Sequence, residues 1–284
     1  VLSKVTFTPA VGSAVDLHAA SGNYKISRAE GIVGPPSPRD VSRVAPGRDG
    51  SLDDTRYLNE RNIVLEGEII GSSQSDVLTK WDALAAAFQS TLLSKGTLTV
   101  TLPDGTTQRQ TSVVLTGAAQ PAFEGGSNYL QYQVNFRAPD PRWYGTTQNT
   151  SALSITTNNT SLVTSSSSTM TNSGNAPSNP IFTFTYSSGS TLVLASVDVN
   201  VPSSYSSLSP QGSLISLTGG SGVLVANNGY VDCGKRKVSN INFVSPTTEW
   251  PLLYPGSSSW SWKLSNNSLG VVYTCTASWY DAWW

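Results

Sequence analysis

Ser75-Asp-Val-Leu-Thr-Lys-Trp-Asp-Ala-Leu-Ala-Ala-Ala-Phe-Gln-Ser-Thr-Leu-Leu93 reads as a helix in a chain where nearly everything else reads as strand or loop. Val77, Trp81, Leu84, Phe88 and Leu92 recur at steps of three or four residues, which makes one apolar stripe. Ser75 is placed to cap the first turn, and Asp76 sets negative charge at the positive end of the helix dipole. Ser94-Lys95-Gly96 supplies a basic residue and a left-handed stop. An amphipathic helix among strands must cover a sheet face.

The flanking segments have the two-residue period of such a sheet. In 61–71, Ile63, Leu65 and Ile69 share one face, while Glu66 and Glu68 take the other. Leu98, Val100 and Leu102 alternate with Thr97, Thr99 and Thr101, and Pro103-Asp104-Gly105 turns the chain into a returning strand at 108–117. Between Tyr129 and Arg137, Leu130, Tyr132, Val134 and Phe136 alternate with Gln131, Gln133 and Asn135. Short strands are also expected at 5–8 and 24–26. The order strand, helix, hairpin, strand predicts an α+β domain with a mainly antiparallel sheet. Residues 32–61 interrupt it with Pro35, Pro36, Pro38 and Pro46 among Arg39, Asp40, Arg43, Arg48, Asp49, Asp53, Asp54 and Arg56. That is no core element; it is either an arm built to meet complementary charges on a neighbour or a solvated loop.

Charge divides the chain. Residues 1–145 hold 13 Lys/Arg and 14 Asp/Glu, against four of each in 146–284. Between Thr146 and Pro180, 18 of 35 residues are Ser or Thr, which reads as a domain boundary or an extended connection. The expected domains are 1–145 and 146–284, with the second core starting at Leu153 or at Pro180. That second half has no helical pattern. Short strands are expected at 181–185, 191–195, 197–201, 213–218, 222–226, 230–233, 238–243, 259–264 and 270–280, the pattern of an all-β sandwich. The fold class is therefore mainly β, an antiparallel sheet with one helix followed by a sandwich.

A net charge of −1 argues against a dedicated nucleic-acid or lipid-surface binder. No apolar run approaches the ~20 residues that span a bilayer, so membrane insertion is not expected. Cys233 and Cys275 either bridge neighbouring strands or stay as buried thiols, and with the single histidine, His18, they cannot make a Cys/His zinc site. His18 sits in Asp-Leu-His-Ala-Ala-Ser-Gly, read as a turn with no nucleophile beside it. Asp198, Asp232, Glu249 and Asp281 are the only carboxylates of the second half, and none lies in a recognisable catalytic segment. No phosphate loop or nucleophile elbow is present. The reading is of a protein without catalytic residues, metal or cofactor. Six of eight tryptophans fall at or after Trp250. Trp250, Trp260 and Trp262 are candidates for stacking on sugar rings, against the alternative that Trp260 and Trp262, two apart on one face with Leu264, fill the core.

Taken in order, Arg61-Asn-Ile-Val-Leu-Glu-Gly-Glu-Ile, the 75–93 helix, the Gly96-Thr-Leu-Thr-Val hairpin and Phe136-Arg-Ala-Pro-Asp-Pro-Arg-Trp-Tyr resemble the distal tail protein family of long-tailed (siphovirus) bacteriophages. Gly174-Asn-Ala-Pro-Ser-Asn-Pro-Ile and Ala277-Ser-Trp-Tyr-Asp-Ala-Trp are similar to that family's C-terminal sandwich. The resemblance covers nearly the whole chain through the order of its elements, and departs from some relatives in the long Ser/Thr tract. It implies a tail-tube-like N-terminal domain that forms a hexameric ring and a galectin-like or carbohydrate-module-like outer domain. It further implies a virion structural protein at the tail tip, made in the host bacterial cytoplasm. Its partners would be the tail-tube protein and the tail-tip hub of the baseplate, with DNA passing through the ring without specific binding. On that reading Glu66, Glu68, Thr97, Thr99, Thr101, Gln131, Gln133 and Asn135 are expected to line the channel, and the charges of 32–61 to meet a neighbouring subunit. The alternative is an adhesion module that binds host-surface carbohydrate.

Overall fold

The computed structural model describes residues 2–39, 43–44, 51–52, 57–89, 94–117, 120–123, 128–158, 163–186, 194–200, 202–205, 211–217, 223–227, 230–232, 241–242, 252–265 and 269–284. The chain divides into two compact units, Val1–Thr146 with Trp284, and Thr147–Trp283.

The first unit begins with β1 (Lys4–Thr8), β2 (Val15–His18) and β3 (Tyr24–Glu30). Four two-residue strands follow, β4 (Pro38–Arg39), β5 (Arg43–Val44), β6 (Ser51–Leu52) and β7 (Tyr57–Leu58). Then come β8 (Arg61–Ile70), α1 (Gln74–Gln89), β9 (Gly96–Thr101), β10 (Gln108–Leu115), β11 (Gln120–Phe123), β12 (Tyr129–Ala138) and β13 (Trp143–Gly145). The antiparallel order is β2-β1-β9-β10-β12-β8-β3, with β11 beside β12. β10 is the pivot. Its residues Gln108–Val113 pair with β9, whereas Val114 and Leu115 pair with β12. The sheet therefore doubles back on itself as two layers whose inner faces meet. Phe7 of β1 stacks on Phe136 of β12 with ring centroids 5.3 Å apart, and Phe88 of α1 lies 5.4 Å from Phe7 and 5.7 Å from Phe136. The helix thus closes one end of a core that both layers line. Val77, Leu84 and Phe88 of the helix stripe are buried; Trp81 is half-buried and Leu92 lies outside the described residues.

The cap of α1 is Ser73 rather than Ser75. Ser73 Oγ accepts the Asp76 N–H at 3.2 Å, and Asp76 Oδ2 reaches back to the Ser72 N–H at 2.8 Å. This is close to a capping box, with Asp standing where Glu is usual. His18 lies in β2 and not in a turn: its Nδ1 accepts the Ile26 N–H at 3.1 Å, a side-chain bond between the two edge strands of the sheet.

In the second unit the strands are β14 (Asn149–Asn158), β15 (Val163–Thr164), β16 (Ser168–Asn172), β17 (Ile181–Tyr186), β18 (Leu194–Asn200) and β19 (Gln211–Leu217). They continue with β20 (Val223–Asn227), β21 (Tyr230–Asp232), β22 (Ile241–Asn242), β23 (Gly256–Ser265), β24 (Leu269–Trp279) and β25 (Ala282–Trp283). Two sheets form, β14-β24-β17-β20-β21 and β15-β23-β18-β19-β22, with β16 also on β23. Leu153, Ile155, Met170, Phe182, Val197, Val199, Trp260, Trp262, Leu264 and Tyr273 fill one core.

Of the two readings of the Ser/Thr-rich tract, a boundary or an extended connection, the structure keeps the first and corrects the second. The units divide at Thr146/Thr147, and the tract supplies β14, β15 and β16 and buries Leu153, one of the two expected starts of the second core, with Ile155 and Met170. The physical reason is alternation: Thr favours strands as readily as it fills linkers, and here the apolar residues fall on every second position. A second correction is that the strands expected at 191–195 and 197–201 are one, β18, with 191–193 and 201 outside the described residues. Cys275 is buried, which pushes its thiol pKa up, while Cys233 lies outside the described residues.

Candidate functional site

The outer surface of the first unit can be read from strand register. Across β12, β8 and β3, Gln131 stands beside Glu68 and Lys25, Gln133 beside Glu66 and Arg28, and Asn135 beside Val64 and Glu30. Gln133 Nε2 donates to Asn135 Oδ1 at 3.2 Å, and Arg28 bonds Glu30 and, at 3.4 Å, Glu66. Lys25 Nζ donates to the carbonyls of Ala19 and Ala20, and Arg137 pairs with Glu60 at 2.9 Å. The cations of this face are thus engaged. A shallow groove of about 450 Å³ runs over it, lined by Ser27, Glu66, Glu68, Pro121, Gln131 and Gln133.

The threonines lie elsewhere. Thr8, Thr97 and Ser112 form one row across β1, β9 and β10; Thr6, Thr99 and Gln110 form the next, and Lys4, Thr101 and Gln108 the third. Thr101 is only 7% exposed. Asp16 accepts from Thr6 at 2.7 Å and pairs with Lys4 at 2.9 Å. Because the inner faces of the two layers touch through Phe7 and Phe136, these outer faces point away from each other. The eight expected channel residues therefore do not share one surface. Glu66, Glu68, Gln131, Gln133 and Asn135 form one set, and Thr97, Thr99 and Thr101 another. Alternation tells inside from outside but not which outside, and β10 decides that.

Residues 32–61 include a ribbon. Pro38 pairs with Leu58 and Arg39 with Tyr57; Arg43 pairs with Leu52 and Val44 with Ser51. The two pairings are both antiparallel and two residues long. Arg39 is exposed and Arg43 lies in β5, whereas Asp40, Arg48, Asp49, Asp53, Asp54 and Arg56 lie outside the described residues.

Arg61, by sequence only the start of a strand, is buried beside the base of this segment. Arg61 is 3% exposed. Its Nε donates to the Pro141 carbonyl at 2.7 Å, and its Nη1 to the carbonyls of Gly31 and Gly34 at 2.9 Å each. Among the described residues no carboxylate pairs with it, and Nη2 is buried without a partner. Burial pulls its pKa down. Asn59 N–H also bonds the Ser37 carbonyl at 3.0 Å. Gly31 is required there: its φ is +76°, and an added Cβ would come within 1.9 Å of the Asn62 carbonyl oxygen. A buried Arg at a strand start is a weak sequence signal, because its partners are backbone groups up to 80 residues away.

Two candidates for sugar stacking are removed by burial. Trp260 and Trp262 are fully buried, with Nε1 donating to Ser151 Oγ at 3.2 Å and to the Leu153 carbonyl at 3.1 Å. Trp250 lies outside the described residues. Of the four carboxylates, Asp198 pairs with Lys263 at 2.8 Å, and Asp281 accepts from Asn149 and the Ser173 N–H. Among the described residues no cluster of metal-ligating side chains occurs, and no helix is long and apolar enough to cross a membrane.

No family model and no curated protein sequence matches the chain. Among solved structures it is similar to the Dit (gp 19.1) protein of SPP1, described as a paradigm of the hub adsorption apparatus in phages that infect Gram-positive bacteria. The identity is 16%, the match covers 96% of this chain and 98% of that one, and the TM-score is 0.56. A chain of the phage p2 baseplate in its activated conformation matches at 10% identity over 96% of this chain and 97% of that one, with a TM-score of 0.47, too low to bear on the fold. The protein thus has the mainly-β fold seen in the SPP1 Dit structure, through both of its units.

Proposed function

We propose that this protein is a structural component of a phage tail tip, a ring of subunits that joins the tail tube to the baseplate hub and leaves a channel for DNA. The observation that carries the reading is the likeness to SPP1 Dit along 96% of the chain. Six subunits, as the sequence resemblance implies, would close the ring, and the charges of the 32–61 segment would meet the neighbouring copy. Of the two polar faces, the one with Glu66, Glu68, Gln131, Gln133 and Asn135 is the better channel wall. Carboxylates offer phosphate no donor, and the cations beside them are already engaged. Hydroxyl rows such as Thr97 and Thr99 are ordinary phosphate contacts and suit a passage less well. The protein acts here as a scaffold, without catalysis or cofactor, in the virion.

Electron microscopy of the purified protein at high concentration tests this. Rings with a central hole are expected. Particles that stay monomeric, together with no antibody label at the tail tip of intact virions, would overturn it. Glu68→Arg places a free cation on the proposed wall, and genome ejection from virions carrying it should slow. Unchanged ejection kinetics would move the channel to the other face.

A further inference from the structure

β2 and β3 end the strand order of the first unit and do not pair with each other, so the sheet has an open seam between them. Each strand carries an extra residue there. Val5 pairs with His18 and Thr6 with Asp16, which leaves Leu17 out of register; Ile26 pairs with Gly67 and Arg28 with Glu66, which leaves out Ser27. Bulges of this kind bend a strand and re-aim its side chains. Without the extra Leu17, His18 would stand opposite the exposed Lys4; with it, His18 stands opposite the buried Val5. Side chains then bridge the seam. The Ile26 N–H donates to His18 Nδ1 at 3.1 Å, and Lys25 Nζ donates to the Ala20 carbonyl at 2.8 Å and to that of Ala19. His18 and Ile26 also wall a groove of about 410 Å³, lined further by the apolar Leu2, Val5, Ala29, Ile32 and Leu102.

We infer that His18 is a proton-operated latch: neutral, it holds the β2–β3 seam shut over the groove, and protonated, it releases Ile26 and lets the two strands part. An imidazolium has no acceptor, so the Ile26 N–H would then face a second N–H. The new charge also sits beside Lys25, the like charge that spans the same seam. Burial and then Lys25 disfavour the proton in the closed form, against a weaker pull from a backbone bond to Leu2. Other charges on the surrounding segments are engaged elsewhere. Lys4 of β1 and Asp16 of β2 pair with each other, Arg28 of β3 pairs with Glu30 and Glu66, and Asp104, beyond Leu102 and Pro103, accepts the Thr106 and Thr107 amides. Opening therefore takes up a proton: the closed seam is favoured above about pH 6.5 and loses ground below it. This latch does not depend on the ring reading.

The test uses the full-length protein with Nile red, an uncharged dye that brightens in apolar surroundings, titrated from about pH 7.5 to about 5.5. In the parent the emission is expected to rise several-fold with a midpoint below about pH 6.5, and to fall again when the pH is restored. His18→Asn sets an amide oxygen near the place of Nδ1, an acceptor that does not titrate, and should stay dark throughout. His18→Ala has no latch and should be bright already at the upper pH. A parent that stays dark would overturn the inference, as would a rise that persists in folded His18→Asn. So would a rise that comes with loss of exchange protection along β23 and β24, which would be general acid unfolding. If His18→Asn does not fold, the parent profile decides together with His18→Ala, and a dark His18→Ala at the upper pH counts against the latch.

Discussion

On the first unit one outer face carries charge, with Arg28 beside Glu30 and Glu66 and Arg137 beside Glu60, while the other is mostly hydroxyl and amide with the Lys4–Asp16 pair at its edge. On the second the outward strand positions carry hydroxyls and amides that satisfy one another. Ser154 bonds Thr274 at 3.0 Å, Thr171 bonds Ser257 at 3.0 Å and Asn200 bonds Ser259 at 3.1 Å, with Lys263–Asp198 as the ion pair found there among the described residues. Each core is a two-layer β core closed by large aromatic residues, so the contrast is confined to the surface. Charges respond to salt, to pH and to the charge of a partner, whereas hydroxyl pairs barely respond to any of these.

The comparison predicts equal fragility inside and unequal sensitivity outside. The largest effects should come from the cores. Phe136→Ala removes the ring that touches both Phe7 and Phe88, and Trp260→Ala empties the centre of the sandwich; each should cost about 3–5 kcal/mol in urea unfolding. A much smaller loss from either would mean that its core is looser than its burial implies. Next is the helix cap: Ser73→Ala should cost about 0.5–2 kcal/mol, whereas Ser75→Ala, lacking the capping contact, should cost less. Peptide-resolved hydrogen exchange over 74–89 would show the difference.

Acid should then separate the units. Burial, reinforced by the charge of Lys25, holds the His18 imidazole below its usual pKa, so the unfolded chain takes up the proton first as pH falls. Stability from this group is complete above about pH 6.5 and declines below it. Protonation also converts Nδ1 from acceptor to donor and breaks the bond to Ile26. Exchange protection at β2 and β3 is expected to fall between pH 7.5 and 5 while β23 and β24 keep theirs, and His18→Gln should remove the pH response. Further down, Asp76 is held at about 2, first by Lys80 and then by the Ser72 N–H; its contribution is present above about pH 3.8 and is lost as pH approaches 2. The smallest effect is that of salt: Arg137→Ala should change stability by at most about 1 kcal/mol at low ionic strength and by nothing measurable in 1 M NaCl.

The sequence alone located the helix to within a few residues, although its cap moved from Ser75 to Ser73. It also found the strands beginning at Arg61, Gly96, Gln108 and Tyr129, with Ile63, Leu65, Ile69, Leu98, Val100, Leu130, Tyr132, Val134 and Phe136 inside as expected, whereas at the end of the Gly96 strand Thr101 is buried and Leu102 only half-buried. These are local properties: a period of two or of three to four residues states which side of an element is apolar without reference to anything distant. Composition marked the boundary near residue 146 but left open whether the second core starts at Leu153 or at Pro180, and the burial of Leu153, Ile155 and Met170 decides for the first.

What only the tertiary structure decided is every statement about which distant groups share a place. The pivot at β10 split eight polar candidates between two opposed faces, because register across separate strands is not written in either strand by itself. Burial of Trp260 and Trp262 depended on β14 crossing their faces from more than a hundred residues away. Arg61 gained its importance from carbonyls at positions 31, 34 and 141, groups that every residue but none in particular provides. A side chain's own chemistry is readable from the chain, but backbone partners carry no sequence signature, and the fold alone brings them within reach.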